Sequence, residues 1–84
     1  MWFVYLARCS DNSLYCGITN NLEKRFKAHN SGKGSKYTRS RLPVKLVWKT
    51  EVGSKSEALK KEHSVKKLSK SLKELLVVES KKNS

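Results

Sequence analysis

Tyr15-Cys16-Gly17-Ile18-Thr19-Asn20-Asn21-Leu22-Glu23-Lys24-Arg25-Phe26-Lys27-Ala28-His29 is the stretch that decides the fold. It reads as the end of a strand, a tight exit and a helix. Asn20 or Asn21 supplies the N-cap, Glu23 suits the positive end of the helix dipole, and Ser31-Gly32 is the stop. At about 100° per residue, Leu22, Phe26 and His29 fall within one narrow arc, with Arg25 beside it. An amphipathic helix normally keeps arginine off its apolar stripe, because a buried guanidinium must find a partner. Here an arginine and a histidine point where Leu22 and Phe26 point. An anionic partner is expected for them.

Working back from Tyr15, Met1–Cys9 is apolar and rich in β-formers, Ser10–Ser13 is a turn cluster, and Leu14–Thr19 completes a hairpin. With a three-residue loop over Asp11–Ser13, Ser10 pairs with Leu14, Leu6 with Ile18 and Tyr5 with Thr19. Tyr5, Tyr15 and Gly17 then share one face, and Leu6, Cys16 and Ile18 the other. A disulfide between Cys9 and Cys16 across the loop is conceivable. Two cysteines are nevertheless too few for a disulfide scaffold, so free thiols in a reducing cytoplasm are expected.

Working forward, Asn30–Arg41 is a long polar loop and Pro43 closes it before a third strand, Val44–Val52, with apolar residues at 44, 46 and 48. Gly53–Ser56 turns and caps a helix from Glu57 to about Leu68. Ser69-Lys70-Ser71 breaks that helix and recaps a last one over Leu72, Leu75 and Leu76. The class is α+β, a three-stranded antiparallel sheet flanked by about three helices. One domain over residues 1–80 is expected, with a frayed basic tail at 81–84.

Charge narrows the partners. Nineteen Lys and Arg against seven Asp and Glu give +12 on 84 residues. Lys24, Arg25, Lys27, Lys33, Lys36, Arg39, Arg41, Lys45 and Lys49 follow one another with no acid between them. A lysine-rich solvated face accounts for the C-terminal bases, but a long window without compensation favours a polyanion, above all nucleic acid. No basic helix carries the bulky aromatic face that an anionic membrane would require. The longest apolar run, Trp2–Ala7, is too short to span a bilayer and lacks a charged signal region before it. A soluble, cytoplasmic protein is expected, monomeric rather than assembled.

Glu62 breaks the pattern of its helix. Ala58, Leu59, Val65 and Leu68 define the apolar face, and Glu62 lies inside it, about 40° from Ala58. A carboxylate there must be paired, hydrogen-bonded or metal-bound. Two readings stand: a salt bridge to Arg25 across the edge of the core, or a functional carboxylate.

Phe3-Val4-Tyr5, then Tyr15-Cys16-Gly17-Ile18-Thr19, then Arg25 and His29, then Ala58-x-x-x-Glu62 together resemble the GIY-YIG nuclease family, in particular its small single-domain bacterial branch. The resemblance runs from about residue 2 to residue 69, and its specificity lies in the ordered set, since Tyr-x-Gly alone is weak. It implies a three-stranded antiparallel sheet with flanking helices, and hydrolysis of phosphodiester bonds in DNA with one divalent metal ion, Mg²⁺ or Mn²⁺. It further implies that Glu62 holds the metal, Arg25 steadies the phosphate, and Tyr5 or Tyr15 helps deprotonate the attacking water. His29 and Tyr37 match positions that related branches keep. Phe3 replaces the glycine of the first motif and Cys16 the isoleucine of the second, both at positions that supply packing rather than chemistry. The asparagine that many members carry beyond the glutamate has no clear equivalent, since Asn83 lies too near the terminus.

These residue types suit that chemistry. Phosphodiester hydrolysis needs cations aimed at developing charge. A single carboxylate leaves a metal's other positions open to water and phosphate oxygens, and arginine offers a planar fork that lysine lacks. A tyrosine is a poor base unless neighbouring cations lower its pKa. Taken singly, Tyr5 and Tyr15 read as ordinary strand aromatics and His29 as a helix-end histidine, while Tyr37 either stacks on a base or anchors its loop. The reading is an endonuclease directed by backbone or by branched, flapped or damaged structure, with Lys24, Lys33, Lys36, Tyr37, Arg39 and Arg41 contacting the nucleic acid. The alternative is a nucleic-acid-binding module that cleaves weakly or not at all.

Overall fold

The computed structural model describes residues 1–82. The elements run β1 (Trp2–Arg8), β2 (Leu14–Thr19), α1 (Leu22–Asn30), α2 (Lys36–Arg39), β3 (Lys45–Val52), α3 (Lys55–Lys66) and α4 (Lys70–Lys82). The strands form one antiparallel sheet in the order β2-β1-β3. β1 is central, which explains its unbroken apolar run: Val4, Tyr5, Leu6 and Ala7 are all fully buried. Alternate residues feed two cores. Val4, Leu6 and Cys16 pack with Ala58, Val65 and Val77 on one face. Tyr5, Ala7 and Cys9 pack with Val44, Tyr15, Leu22, Phe26 and Leu42 on the other.

The hairpin register differs from expectation by two residues: Tyr5 pairs with Gly17, Leu6 with Cys16 and Arg8 with Leu14. The loop is Ser10–Asn12 rather than Asp11–Ser13, closed by Cys9 N–H donating to Ser13 O at 2.9 Å. Asn12, at φ 70°, takes the left-handed position that ends such a loop, and asparagine tolerates it where serine does not readily. Because side chains alternate with a period of two, a shift of two preserves every face assignment. The same parity puts Cys9 and Cys16 on opposite faces of the sheet, so the conceivable disulfide is excluded and both thiols are free.

Asn21, not Asn20, caps α1, its side chain accepting from Lys24 N–H at 3.0 Å. The helix ends at Ser31. Gly32, at φ 82°, donates to His29 O and Lys33 N–H to Ala28 O, a Schellman exit that needs glycine's freedom. Asn30 then bonds both backbone groups of Val44, at 3.1 and 2.8 Å, and fixes the helix end beside β3.

Four expectations are corrected. The loop after α1 contains a helix, α2, so the helices among the described residues number four; Ser35 caps α2, accepting from Thr38 N–H. In β3 the strict alternation fails, because Leu6 pairs with Trp48 and Ala7 with Leu46, leaving Val47 as a bulge. Leu46 is consequently 40% exposed. Leu59, Leu72 and Leu75 are also exposed; α3 is held by Ala58 and Val65, and α4 by Val77 and Leu76. Finally, Lys81 belongs to α4 rather than to a frayed tail, while Asn83 and Ser84 lie outside the described residues. A bidentate Arg8–Glu74 pair, at 2.5 and 2.6 Å, ties α4 to β1. It is part-exposed and so contributes about 1 kcal/mol or less, against about 2 kcal/mol for burying a valine. Packing holds the helix.

Candidate active site

Three elements meet on the α1 side of the sheet. β1 carries Tyr5, β2 carries Tyr15 and Gly17, and α1 presents Arg25 and His29 from the arc read in the sequence. The Tyr5 hydroxyl lies 2.8 Å from His29 Nε2 and accepts from Arg25 Nε at 3.2 Å. Within the chain, the groups that meet Arg25 are the Tyr5 and Tyr15 phenols. Gly17 makes room for it: a Cβ there would sit 2.5 Å from the Tyr5 hydroxyl oxygen and 2.7 Å from its Cζ, closer than real contacts allow. Tyr15 packs its ring edge-to-face on His29 at 5.6 Å and beside Tyr5 at 6.4 Å.

The two tyrosines differ in access. Tyr5 is fully buried, whereas Tyr15 is half-buried at the edge strand. Burial raises the Tyr5 pKa, outweighing the hydrogen bond and charge of Arg25, which lower it. The expected lowering by a neighbouring cation is real in sign at Tyr5 but loses to desolvation.

Burial first, and Arg25 second, push His29 down to about 4. The imidazole is thus neutral at neutral pH. Between about pH 6.5 and pH 4 the unfolded chain takes up a proton here that the folded chain refuses. Stability is expected to decline as pH falls through that window, by up to about 1.4 kcal/mol per pH unit from this one group. Urea melts across the window check this, and His29→Gln should flatten the dependence.

Sequence reasoning missed two residues that close over His29. Thr38 of α2 is fully buried with its Oγ1 3.0 Å from His29 Nδ1. Gly34 lies so close that any Cβ would collide with the imidazole and sit 2.8 Å from His29 Cα. A four-residue helix gives no periodicity, and Ser35, a cap three positions before Thr38, was the only signal.

Tyr37 and Arg41 serve the same wall. Tyr37 stacks on Tyr15 with ring centroids 5.9 Å apart and planes 22° apart. The Arg41 guanidinium sits 3.9 Å over the Tyr37 ring, donates to Tyr37 O at 2.8 Å and pairs with Asp11 at 2.9 Å. Lys24, Lys33, Lys36 and Arg39 are exposed.

Glu62 does not join the tyrosine cluster directly. α3 packs on the Leu6–Cys16 face, so Glu62 reaches β2 from the far side of the sheet. The carboxylate is 19% exposed and pairs with Lys66 at 3.5 Å. Among the described residues it has no ion pair with Arg25, so the salt bridge considered from sequence is not formed. Its neighbour is Cys16, whose thiol is pushed up to about 11 by burial first and by the Glu62 charge second. β2 is an edge strand, and the two sides meet over it. A cleft of about 260 Å³ has Tyr15 and Tyr37 on one wall and Cys16, Lys66 and Lys73 on the other.

The donor set at Glu62 is one carboxylate, and no group of three or more His, Cys, Asp or Glu among the described residues is arranged to enclose a metal. That suits Mg²⁺, which keeps most of its waters and binds through one or two carboxylates plus phosphate oxygens. No helix among the described residues is long and apolar enough to cross a membrane.

Residues 1–75 match the family profile described as the GIY-YIG catalytic domain. A UPF0213 protein of Vibrio cholerae serotype O1 is 53% identical over 77 residues, covering 90% of this chain and 76% of its own. The UPF0213 protein YazA of Bacillus subtilis is 49% identical over 82 residues, covering 98% of this chain and 82% of its own. The solution NMR structure of a UPF0213 protein from Bacillus halodurans is similar with a TM-score of 0.58 at 47% identity, covering 93% of this chain and 84% of that one.

Proposed function

Since the chain belongs to the GIY-YIG catalytic domain family, whose nucleases act on nucleic acid and generally depend on a divalent metal, we propose that it is a metal-dependent endonuclease that nicks DNA, directed by backbone or shape. The observation that carries this reading is the Arg25–Tyr5–His29 cluster, with Tyr15 beside it at the rim of a cation-lined cleft. Arg25 commits Nε to Tyr5 and also interacts with the Tyr15 hydroxyl, and these two phenols aim a guanidinium whose remaining N–H groups would meet phosphate oxygens. Tyr15, the accessible phenol, would act as its phenolate: it gives its own proton to bulk solvent and then accepts one from the attacking water. Glu62 would hold one Mg²⁺ or Mn²⁺ ion. A metal held there supplies charge stabilisation and an activated water. Lys66 and Lys73 on the opposite wall add to the field drawing the phosphates in.

Lys24, Lys33, Lys36 and Arg39 extend the basic surface beyond the cleft, and Tyr37 with Arg41 braces Tyr15. Such a surface reads charge, not sequence. Replacing Lys33, Lys36 and Arg39 together with Ala is expected to weaken binding to all sequences alike. It should also reduce the salt slope of log K by about 0.9 for each phosphate the variant no longer neutralises. Titrations of two unrelated duplexes across a salt series check this.

The decisive experiment is nicking of supercoiled, flapped and branched DNA by purified protein with Mg²⁺ or Mn²⁺, and with chelator. Metal-dependent nicks support the nuclease. Binding without cleavage on every substrate would instead favour the non-cleaving module, a reading to which the Glu62–Lys66 pairing gives some weight.

A further inference from the structure

We propose that Thr38 is a positioning residue that fixes the tautomer of His29: it accepts Nδ1–H, so that Nε2 takes the Tyr5 hydroxyl proton. The count of protons around the buried chain decides this. Arg25 Nε can only donate, and it donates to the Tyr5 oxygen. Ser35 O can only accept, and Thr38 Oγ1 reaches it at 3.1 Å. Thr38 has one hydroxyl proton. Given to Ser35 O, it leaves Thr38 Oγ1 as acceptor for His29 Nδ1–H at 3.0 Å and for the Ser35 hydroxyl at 3.0 Å. His29 Nε2 then carries a lone pair, and the Tyr5 O–H donates to it across 2.8 Å. Every proton in the run from Arg25 to Ser35 has one acceptor.

The other tautomer fails the same count. With the proton on Nε2, both His29 and Arg25 would donate to the Tyr5 oxygen. The phenol proton would have no acceptor in a side chain that is fully buried. Thr38 would turn its proton to Nδ1 and withdraw it from Ser35 O. Gly34 prevents His29 from escaping, since its backbone lies against the imidazole. The arrangement therefore runs one way, and it keeps the Tyr5 lone pair turned toward Arg25.

The location of the proton stands independently of the nuclease reading; its effect on cleavage rests on it. Nitrogen-15 NMR of the full chain should show His29 protonated at Nδ1 and unprotonated at Nε2 in the wild type. A proton on Nε2 would overturn the inference, and this measurement needs no variant to fold. Thr38→Val should lose the single Nδ1–H form while Thr38→Ser keeps it. Ser35→Ala removes the cap of α2 but leaves the carbonyl that takes the Thr38 proton, so it should lower stability without moving the tautomer. Where the wild type nicks DNA, Thr38→Val should nick on the order of tenfold more slowly at equal folded fraction, with Thr38→Ser restoring the rate. Thr38→Val with an unchanged tautomer would overturn the inference. Ser35→Ala and Thr38→Val with equal tautomer shifts would reduce Thr38 to a structural prop, and overturn it as well.

Discussion

Glu62→Gln protein is expected to fold, to bind DNA at least as tightly as wild type, and to lose metal-dependent nicking by about a hundredfold or more. The fold should survive because Glu62 pairs with Lys66, not with the part-buried guanidinium of Arg25. Half of the Lys66 side chain is exposed, and a pair of that kind contributes about 1 kcal/mol or less. Amide for carboxylate also keeps the shape packed beside Cys16. DNA binding should hold or improve, because the negative charge removed is the one that pairs with Lys66, which lines the cleft together with Lys73. Thermal melts, a binding titration and a nicking time course on one preparation separate the three effects. Folded Glu62→Gln protein that nicks at the wild-type rate would remove Glu62 from the metal site. The far-side position of α3 would then be its whole explanation.

That far-side position marks the limit of what residue spacing conveys. Helical periodicity put Glu62 on the packed face of α3 correctly, since it is only 19% exposed. An angle about a helix axis does not say which face of a sheet the helix covers. The tyrosine side was legible for the opposite reason. Strand alternation is local, so Tyr5, Tyr15 and Gly17 kept their common face although the hairpin register was shifted by two. α1 was legible because cap, arc and exit all agreed, and Arg25 stood out as a charge in an apolar stripe. α2 was not, for four residues make no stripe, and Thr38 is read as a loop residue until His29 is seen against it. Leu46 was misplaced because a bulge leaves no mark in an alternating pattern. Arg41 shows the same limit from the surface. Its charge suggested a phosphate contact, and charge alone gave no hint that it also braces Tyr37 and, through it, Tyr15.

Which tyrosine serves as base was open in the sequence, and paired phenylalanine variants are expected to separate them. Tyr5→Phe removes the hydroxyl shared by Arg25 Nε and His29 Nε2, leaving a part-buried donor and a buried acceptor unmatched. The cost to stability should be about 1–3 kcal/mol, read as a lower melting temperature. Any loss of nicking should follow from a displaced Arg25. Tyr15→Phe takes away a half-buried hydroxyl while keeping the ring that stacks on Tyr37 and His29. Its stability should change by no more than about 0.5 kcal/mol, yet nicking should fall by about a hundredfold or more if this phenol carries the proton. Single-turnover nicking at equal folded fraction, set beside melting curves, makes the comparison. The opposite pattern, a stable and inactive Tyr5→Phe beside an active Tyr15→Phe, would move the base to Tyr5. It would also require substrate or metal to draw the Tyr5 proton away from His29, against the desolvation that holds that phenol neutral.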